Sequence, residues 1–233
     1  MSKYDINIKN QLTSLLEKDS DTLKFIDDLT NVGDLLFFGG SVRDIFLYPE
    51  NPPIPRDFDI AINFKNKSKF NLITKKYSNK LNRFGGFKFK IGTIEFDVWD
   101  LENTWAFKNT NLKASEENLA KSVYLNIDGI VYNYNKSILY DELFRSSIEC
   151  RVLDINLQEN PQEKLNLLRA LVFKEKYKKV YKFSFSHNLK NKFQSHLVGE
   201  TTKLSDELYN LQKTHYKSNY LSKNKIKCEL ERL

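Results

Sequence analysis

Cysteine is scarce in this chain of 233 residues: there are two, Cys150 and Cys228, far apart and without metal-type spacing. They read as two ordinary thiols in a reducing compartment. Histidine is nearly as sparse, with three residues scattered at 187, 196 and 215, which argues against zinc chemistry. No run approaches the roughly 20 apolar residues of a membrane span. The N-terminus lacks the apolar centre of a signal peptide, so the chain is expected to stay in the cytoplasm, away from any membrane. Of five prolines, four fall between Tyr48 and Pro55, a stretch that reads as a stiff surface loop. Internal repeats and low-complexity segments are missing as well.

What is present is apolar and basic. Forty per cent of residues are hydrophobic, including 17 Phe and 12 Tyr, enough for a real core. The length suits one ordinary domain with a helical extension, or two small domains. A formal charge of +7 and a pI near 9.1 favour a polyanionic partner, nucleic acid first, with a solvated basic surface as the bland alternative. Lys174, Lys176, Lys178, Lys179, Lys182, Lys190 and Lys192 are interleaved with Tyr177, Tyr181, Phe183 and Phe185. Lysines can follow a phosphate backbone while aromatics stack on bases, although some of these aromatics are expected in the core. The Lys/Asn-rich segment Lys213 to Lys227 reads as a partly ordered basic arm.

Periodicity supplies the elements. Residues 4 to 31 carry Leu12, Leu15, Leu16 and then Leu23, Phe25, Ile26, Leu29 at helical spacing, one or two amphipathic helices. Strands are expected at about 34 to 38 and 58 to 63, and a lysine-rich helix from about 67 to 80. Phe87, Phe89 and Ile91 alternate with lysines, Gly92 and Thr93 turn the chain, and Ile94 to Leu101 returns, which is a hairpin.

Two motifs carry chemistry. Leu35 to Phe38 is a short apolar strand that ends at Gly39 and Gly40 and leads into a helix-compatible segment, Val42 to Leu47. Glycines let a backbone approach phosphates, while Ser41, exposed amides and a helix N-terminus offer donors. Arg43 can bond a phosphate or pair with a local carboxylate. Asp57 and Asp59, at i and i+2 on the next strand, point to one face, with Phe58 and Ile60 on the other. In-line transfer of a nucleotide from a triphosphate needs such a phosphate grip beside carboxylates that hold two divalent cations. On the returning strand Glu95 and Asp97 share a face, with Asp100 on the opposite face.

Gly39, Gly40, Val42, Arg43, Asp44, Asp57 and Asp59 together resemble the G-G-x-V-R-D and D-x-D signature of the tRNA CCA-adding enzyme and bacterial poly(A) polymerase family. That family has a polymerase β-like nucleotidyltransferase head. The resemblance covers residues 34 to about 211 and is strongest between 39 and 60. It implies an α/β (α+β) head with a small mixed sheet at 1–155, followed by a helical neck at 156–233. By the resemblance, Lys121 and Asn126 match the run that contacts triphosphate and ribose, although the basic pair has become Ala120 and Lys121 and the aspartate Ser122. Aligning from Leu167–Phe173 puts Gln162, Glu163 and Asn166 at the base-reading positions, with Asn166 where the family has an arginine. Arg169 is either a ligand contact or a helix-surface residue.

The resemblance thus implies NMP transfer from an NTP such as ATP to an RNA 3′ end, plausibly that of tRNA. Asp57, Asp59 and Asp97 would be catalytic and bind two Mg²⁺. Gly39, Gly40, Ser41, Arg43, Lys121, Asn126, Glu163, Asn166 and Arg169 would hold the nucleotide. RNA would lie on a basic surface including Lys174, Lys178, Lys179 and Lys182, and there is room for a protein partner or homo-oligomer. The alternatives are a protein or small-molecule acceptor, or a non-catalytic RNA-binding relative.

Overall fold

The computed structural model describes residues 3–82, 85–197, 201–216 and 219–233, with side chains from Ile8 onward. The chain divides into two compact units, 1–123 with 128–143, and 124–127 with 144–233.

The first unit is built on a seven-stranded sheet. Its strands are β1 (Gly33–Phe38), β2 (Asp57–Phe64), β3 (Asn79–Leu81), β4 (Phe87–Ile91), β5 (Ile94–Asp100), β6 (Val131–Asn133) and β7 (Ile138–Tyr140), in the order β3-β4-β5-β2-β1-β6-β7. Every pairing is antiparallel except β2 with β5. The helices are α1 (Lys3–Leu16), α2 (Ser20–Thr30), α3 (Gly40–Leu47), α4 (Lys67–Lys76), α5 (Trp105–Asn109) and α6 (Glu116–Lys121).

Local chemistry sets these boundaries. Asp19 caps α2 by accepting from the Asp21 amide at 2.8 Å. The α2 stripe Phe25, Ile26 and Leu29 is fully buried. β1 is buried on both faces, as its unbroken apolar run requires of a central strand. The abundance of Phe is spent beneath β2 and β5: Phe58 stacks on Phe96 at 5.4 Å, and Phe25 meets Phe96 and Phe89 at 5.1 and 5.0 Å. Such pairs contribute about 0.5–1.5 kcal/mol each beyond area burial.

The helix expected to run to residue 80 stops at Lys76. Asn79 Nδ2 donates to the carbonyls of Thr74 (2.6 Å) and Tyr77 (2.8 Å), which satisfies the helix end and frees Asn79–Leu81 to pair with β4.

At the other end of β1 lies a polar network. Asp34 accepts from Lys65 (2.5 Å) and Lys136 (2.9 Å). Lys136 also reaches Glu116 at 2.7 Å, and Glu116 accepts from Asn133 (2.8 Å), Tyr140 (3.0 Å) and Asn63 (3.3 Å). Burial pushes the Asp34 and Glu116 carboxyls up, but these hydrogen bonds outweigh it and hold both below their ordinary range. Glu116 and Asp34 in turn raise Lys136.

The second unit is mainly helical. α7 (Glu142–Cys150) leads into it, and α8 (Glu163–Lys176), α9 (His187–Ser195), α10 (Thr201–Tyr216) and α11 (Lys223–Leu230) follow, with a two-stranded parallel ribbon of β8 (Val152–Leu153) and β9 (Ser184–Phe185). The segment read as a basic arm is packed instead. Gln212, fully buried, donates to the Leu221 carbonyl (2.8 Å) and accepts from its amide (2.9 Å), while Leu221, Ile226 and Leu230 are buried. Every fourth or so residue there is apolar, and that stripe suffices once α10 offers a surface; residues 217–218 of the segment lie outside the described residues.

Candidate active site

The Gly39 elbow and the first aspartate pair are adjacent because of sheet register. Phe38, the last residue of β1, pairs with Asp59. Gly39 then turns with φ +70°, and a Cβ built there would lie 3.0 Å from Asp59 Oδ2. The backbone therefore passes close to that carboxylate in a left-handed conformation, a combination that favours glycine. α3 begins at Gly40 with no side-chain cap, so its first amides are not taken by one. Ser41 is buried and its Oγ donates to the Phe38 carbonyl at 3.4 Å.

The parallel pairing of β2 and β5 sets Asp57 beside Glu95 and Asp59 beside Asp97. Phe58 and Phe96, buried, take the opposite face, so the four acids form a two-by-two patch on one face. Asp100 is elsewhere: it caps a 3-10 turn (Leu101–Asn103), accepting from the Glu102 amide (3.2 Å) and Asn103 Nδ2 (2.5 Å), and pairs with Lys67.

Two basic side chains that sequence reasoning passed over belong to the patch. Arg56 donates through Nε (3.0 Å) and Nη2 (2.7 Å) to Asp57 Oδ2. Burial lowers its pKa, but the bond to Asp57 and the charges of Asp57, Asp59 and Asp97 raise it above the ordinary value, so all three acids are felt at one guanidinium. Lys88 Nζ lies 2.8 Å from Asp97 Oδ2 and 3.4 Å from Glu95 Oε2. Burial opposes its charge, yet Asp97 and then Glu95 prevail and raise its pKa. The hairpin held the signal: a turn at Gly92 and Thr93 sets Lys88 opposite Asp97 by counting outward.

A hard divalent cation takes carboxylate oxygens, and Asp57, Asp59 and Asp97 fit that demand. Asp97 Oδ1 is buried without a hydrogen-bond partner, an oxygen available for ligation. Among the described residues no three His, Cys, Asp or Glu side chains yet converge tightly enough to hold an ion. Asp57 and Asp97 are instead turned to Arg56 and Lys88.

Arg43 is buried, paired with Asp128 and 3.6 Å from Asp44. Lys121, at the end of α6, pairs with Glu117 at 2.6 Å. In the second unit, Asn126 Nδ2 donates to the Val152 carbonyl (2.9 Å) and its Oδ1 accepts from the Asp154 (3.0 Å) and Ile127 (2.9 Å) amides. Glu163 accepts from Lys192 at 2.7 Å and pairs with His196; burial pushes its carboxyl up, but these two partners outweigh it and hold it low. Asn166 is buried, donating to Asn160 Oδ1 at 2.7 Å, and Arg169 lies over the Phe173 ring at 5.7 Å. Tyr124 has a buried hydroxyl without a partner, and burial together with Glu163 pushes its pKa up to about 12.

The basic segment is mixed. Lys178, Lys179 and Lys182 are exposed, Lys178 pairing with Glu175, whereas Lys174 is tied to Glu229 at 2.5 Å. Tyr177, Phe183 and Phe185 are buried and belong to the core.

No family model matches the sequence, and no curated protein does. Solved structures do resemble the fold. A CCA-adding enzyme solved with CTP superposes with a TM-score of 0.59 at 16% identity, over 94% of this chain and 54% of that one. The Thermotoga maritima CCA-adding enzyme complexed with tRNA gives 0.58 at 16% identity, over 94% and 53%. A tRNA nucleotidyltransferase with a primer tRNA and an incoming ATP analog gives 0.53 at 20% identity, over 85% and 56%. The chain spans about half the length of these structures. At such identities the likeness is one of architecture, and the chain has the fold of the tRNA nucleotidyltransferases.

Proposed function

We propose that this chain is a metal-dependent nucleotidyltransferase that moves an NMP from an NTP to the 3′ end of an RNA, with tRNA the favoured acceptor. One observation carries the reading: sheet register sets the Gly39 elbow beside Asp59, so close that an added Cβ would press on its carboxylate, within the patch that also holds Asp57 and Asp97. The likeness to enzymes solved with CTP and with tRNA supports it at the level of fold.

Asp57, Asp59 and Asp97 would hold the cations, with magnesium proposed because it prefers oxygen ligands and arrives with triphosphate. Bound there, the cations would activate the attacking hydroxyl and neutralise the triphosphate. Asp97, on the neighbouring strand, would help take the hydroxyl proton. The amides at Gly39, Gly40 and Ser41 would grip the β- and γ-phosphates, and Arg43, anchored on Asp128, would brace that elbow. Nucleotide contact by Lys121, Asn126, Glu163, Asn166 and Arg169 remains part of the proposal, as do the head and neck roles of the two units and a cytoplasmic site of action.

The test is incubation with each α-phosphate-labelled NTP and Mg²⁺, with and without tRNA. Label should enter the RNA, and Asp59→Asn should cut incorporation by about a thousandfold or more. Label entering another acceptor would replace the RNA assignment. Undiminished incorporation by Asp59→Asn would defeat the active-site assignment.

A further inference from the structure

The acidic patch carries its own cations, and they differ in kind. Arg56 follows the proline-rich segment, and its side chain is 70% exposed while bonding Asp57. Lys88 sits mid-strand, held opposite Asp97 by the β4–β5 ladder, and bonds Asp97 at Oδ2 while Oδ1 stays buried and unbonded. It also reaches Glu95, so a single ammonium serves the two acids that β5 adds to the patch.

Resting on the metal-dependent reading above, we propose that Lys88 is a resident counter-cation and positioning residue. It engages Asp97 through Oδ2, leaving Oδ1 unbonded, and keeps divalent-cation affinity low until a triphosphate brings further negative charge. A divalent cation and an ammonium sharing one carboxylate repel each other. In a partly buried setting that repulsion is worth a factor of about ten or more in affinity. Lys88, with its side chain 37% exposed against 70% for Arg56, is the more enclosed of the two cations. Cation loading therefore follows nucleotide binding instead of preceding it.

The experiment measures Mn²⁺ binding to the full chain by electron paramagnetic resonance, with and without a non-hydrolysable NTP. Wild type should bind Mn²⁺ weakly alone and more tightly with the NTP. Lys88→Met should bind Mn²⁺ alone about tenfold tighter and gain less from the NTP, while Lys88→Arg should behave as wild type. Lys88→Gln, which keeps a hydrogen-bond donor but no charge, should follow Lys88→Met and serves if the methionine variant misfolds by circular dichroism. Unchanged or weaker Mn²⁺ binding in folded Lys88→Met or Lys88→Gln would overturn the inference. An Asp59→Asn control separates the two levels. If it weakens Mn²⁺–NTP binding while the Lys88 variants match wild type, only this inference falls. If it changes nothing, the metal-site reading falls too.

Discussion

Gly39 and Gly40 look alike in the sequence, yet a methyl group on each would meet different things. At Gly39, φ is +70° and an added Cβ would press on Asp59 Oδ2 at 3.0 Å; at Gly40 the nearest atom is Arg43 Nη2 at 3.5 Å, an ordinary contact. Gly39→Ala should therefore cost about 1–3 kcal/mol in urea unfolding and reduce NMP transfer, because Asp59 must move. Gly40→Ala, inside α3, should leave stability within about 1 kcal/mol of wild type. Much of this was legible. A double glycine between an apolar strand and a helix signals a backbone needed close to something, and two aspartates at period two signal a shared face. Arg56 and Lys88 were harder to see because their importance comes from what lies across a strand. Asn126 was harder still: its amide is engaged by backbone groups of residues 152 and 154, partners no local pattern announces.

Between elements, the network of Asp34, Lys136 and Glu116 ties β1 and β2 to α6 and the β6–β7 hairpin. Asp34 and Glu116 sit below their ordinary values of 3.8 and 4.5, so the stability they contribute is complete above those values and is lost as pH falls through the lowered folded ones. Lys136 is raised above 10.5, so its contribution is complete below that pH and lost as pH climbs through its folded value. Lys136→Met should cost about 1–2 kcal/mol at pH 7, discounted for a half-exposed ammonium, and the gap from wild type should shrink toward about pH 3. Urea melts across that range check it. The hairpin of β4 and β5 was readable from alternation and its turn. β3 was not, because three residues, Asn79, Lys80 and Leu81, show no period of their own and are a strand only because Asn79 ends α4 and β4 offers an edge.

For the molecule as a whole, excess positive charge is the property most exposed to solvent conditions. If RNA is the acceptor, its binding should weaken steeply as salt rises from about 50 to 200 mM. Replacing Lys178, Lys179 and Lys182 together by glutamate should lower affinity and flatten that dependence, measurable by filter binding; replacing Lys174, bound to Glu229, should instead mainly affect stability. Composition foretold the basic balance but not which lysines are exposed, and it read Lys213 to Lys227 as an arm where the end of α10 and the start of α11 pack through Leu221 and Ile226. The parallel pairing of β2 with β5 has a last consequence, one of timing. Asp57 and Asp59 leave the ribosome well before Asp97, with α4, β3 and β4 between them, so a nascent chain holds half of the acidic patch until β5 docks. On the proposed site, a chain made only as far as β4 would carry Asp57 and Asp59 without Asp97 and should transfer no nucleotide until β5 pairs with β2.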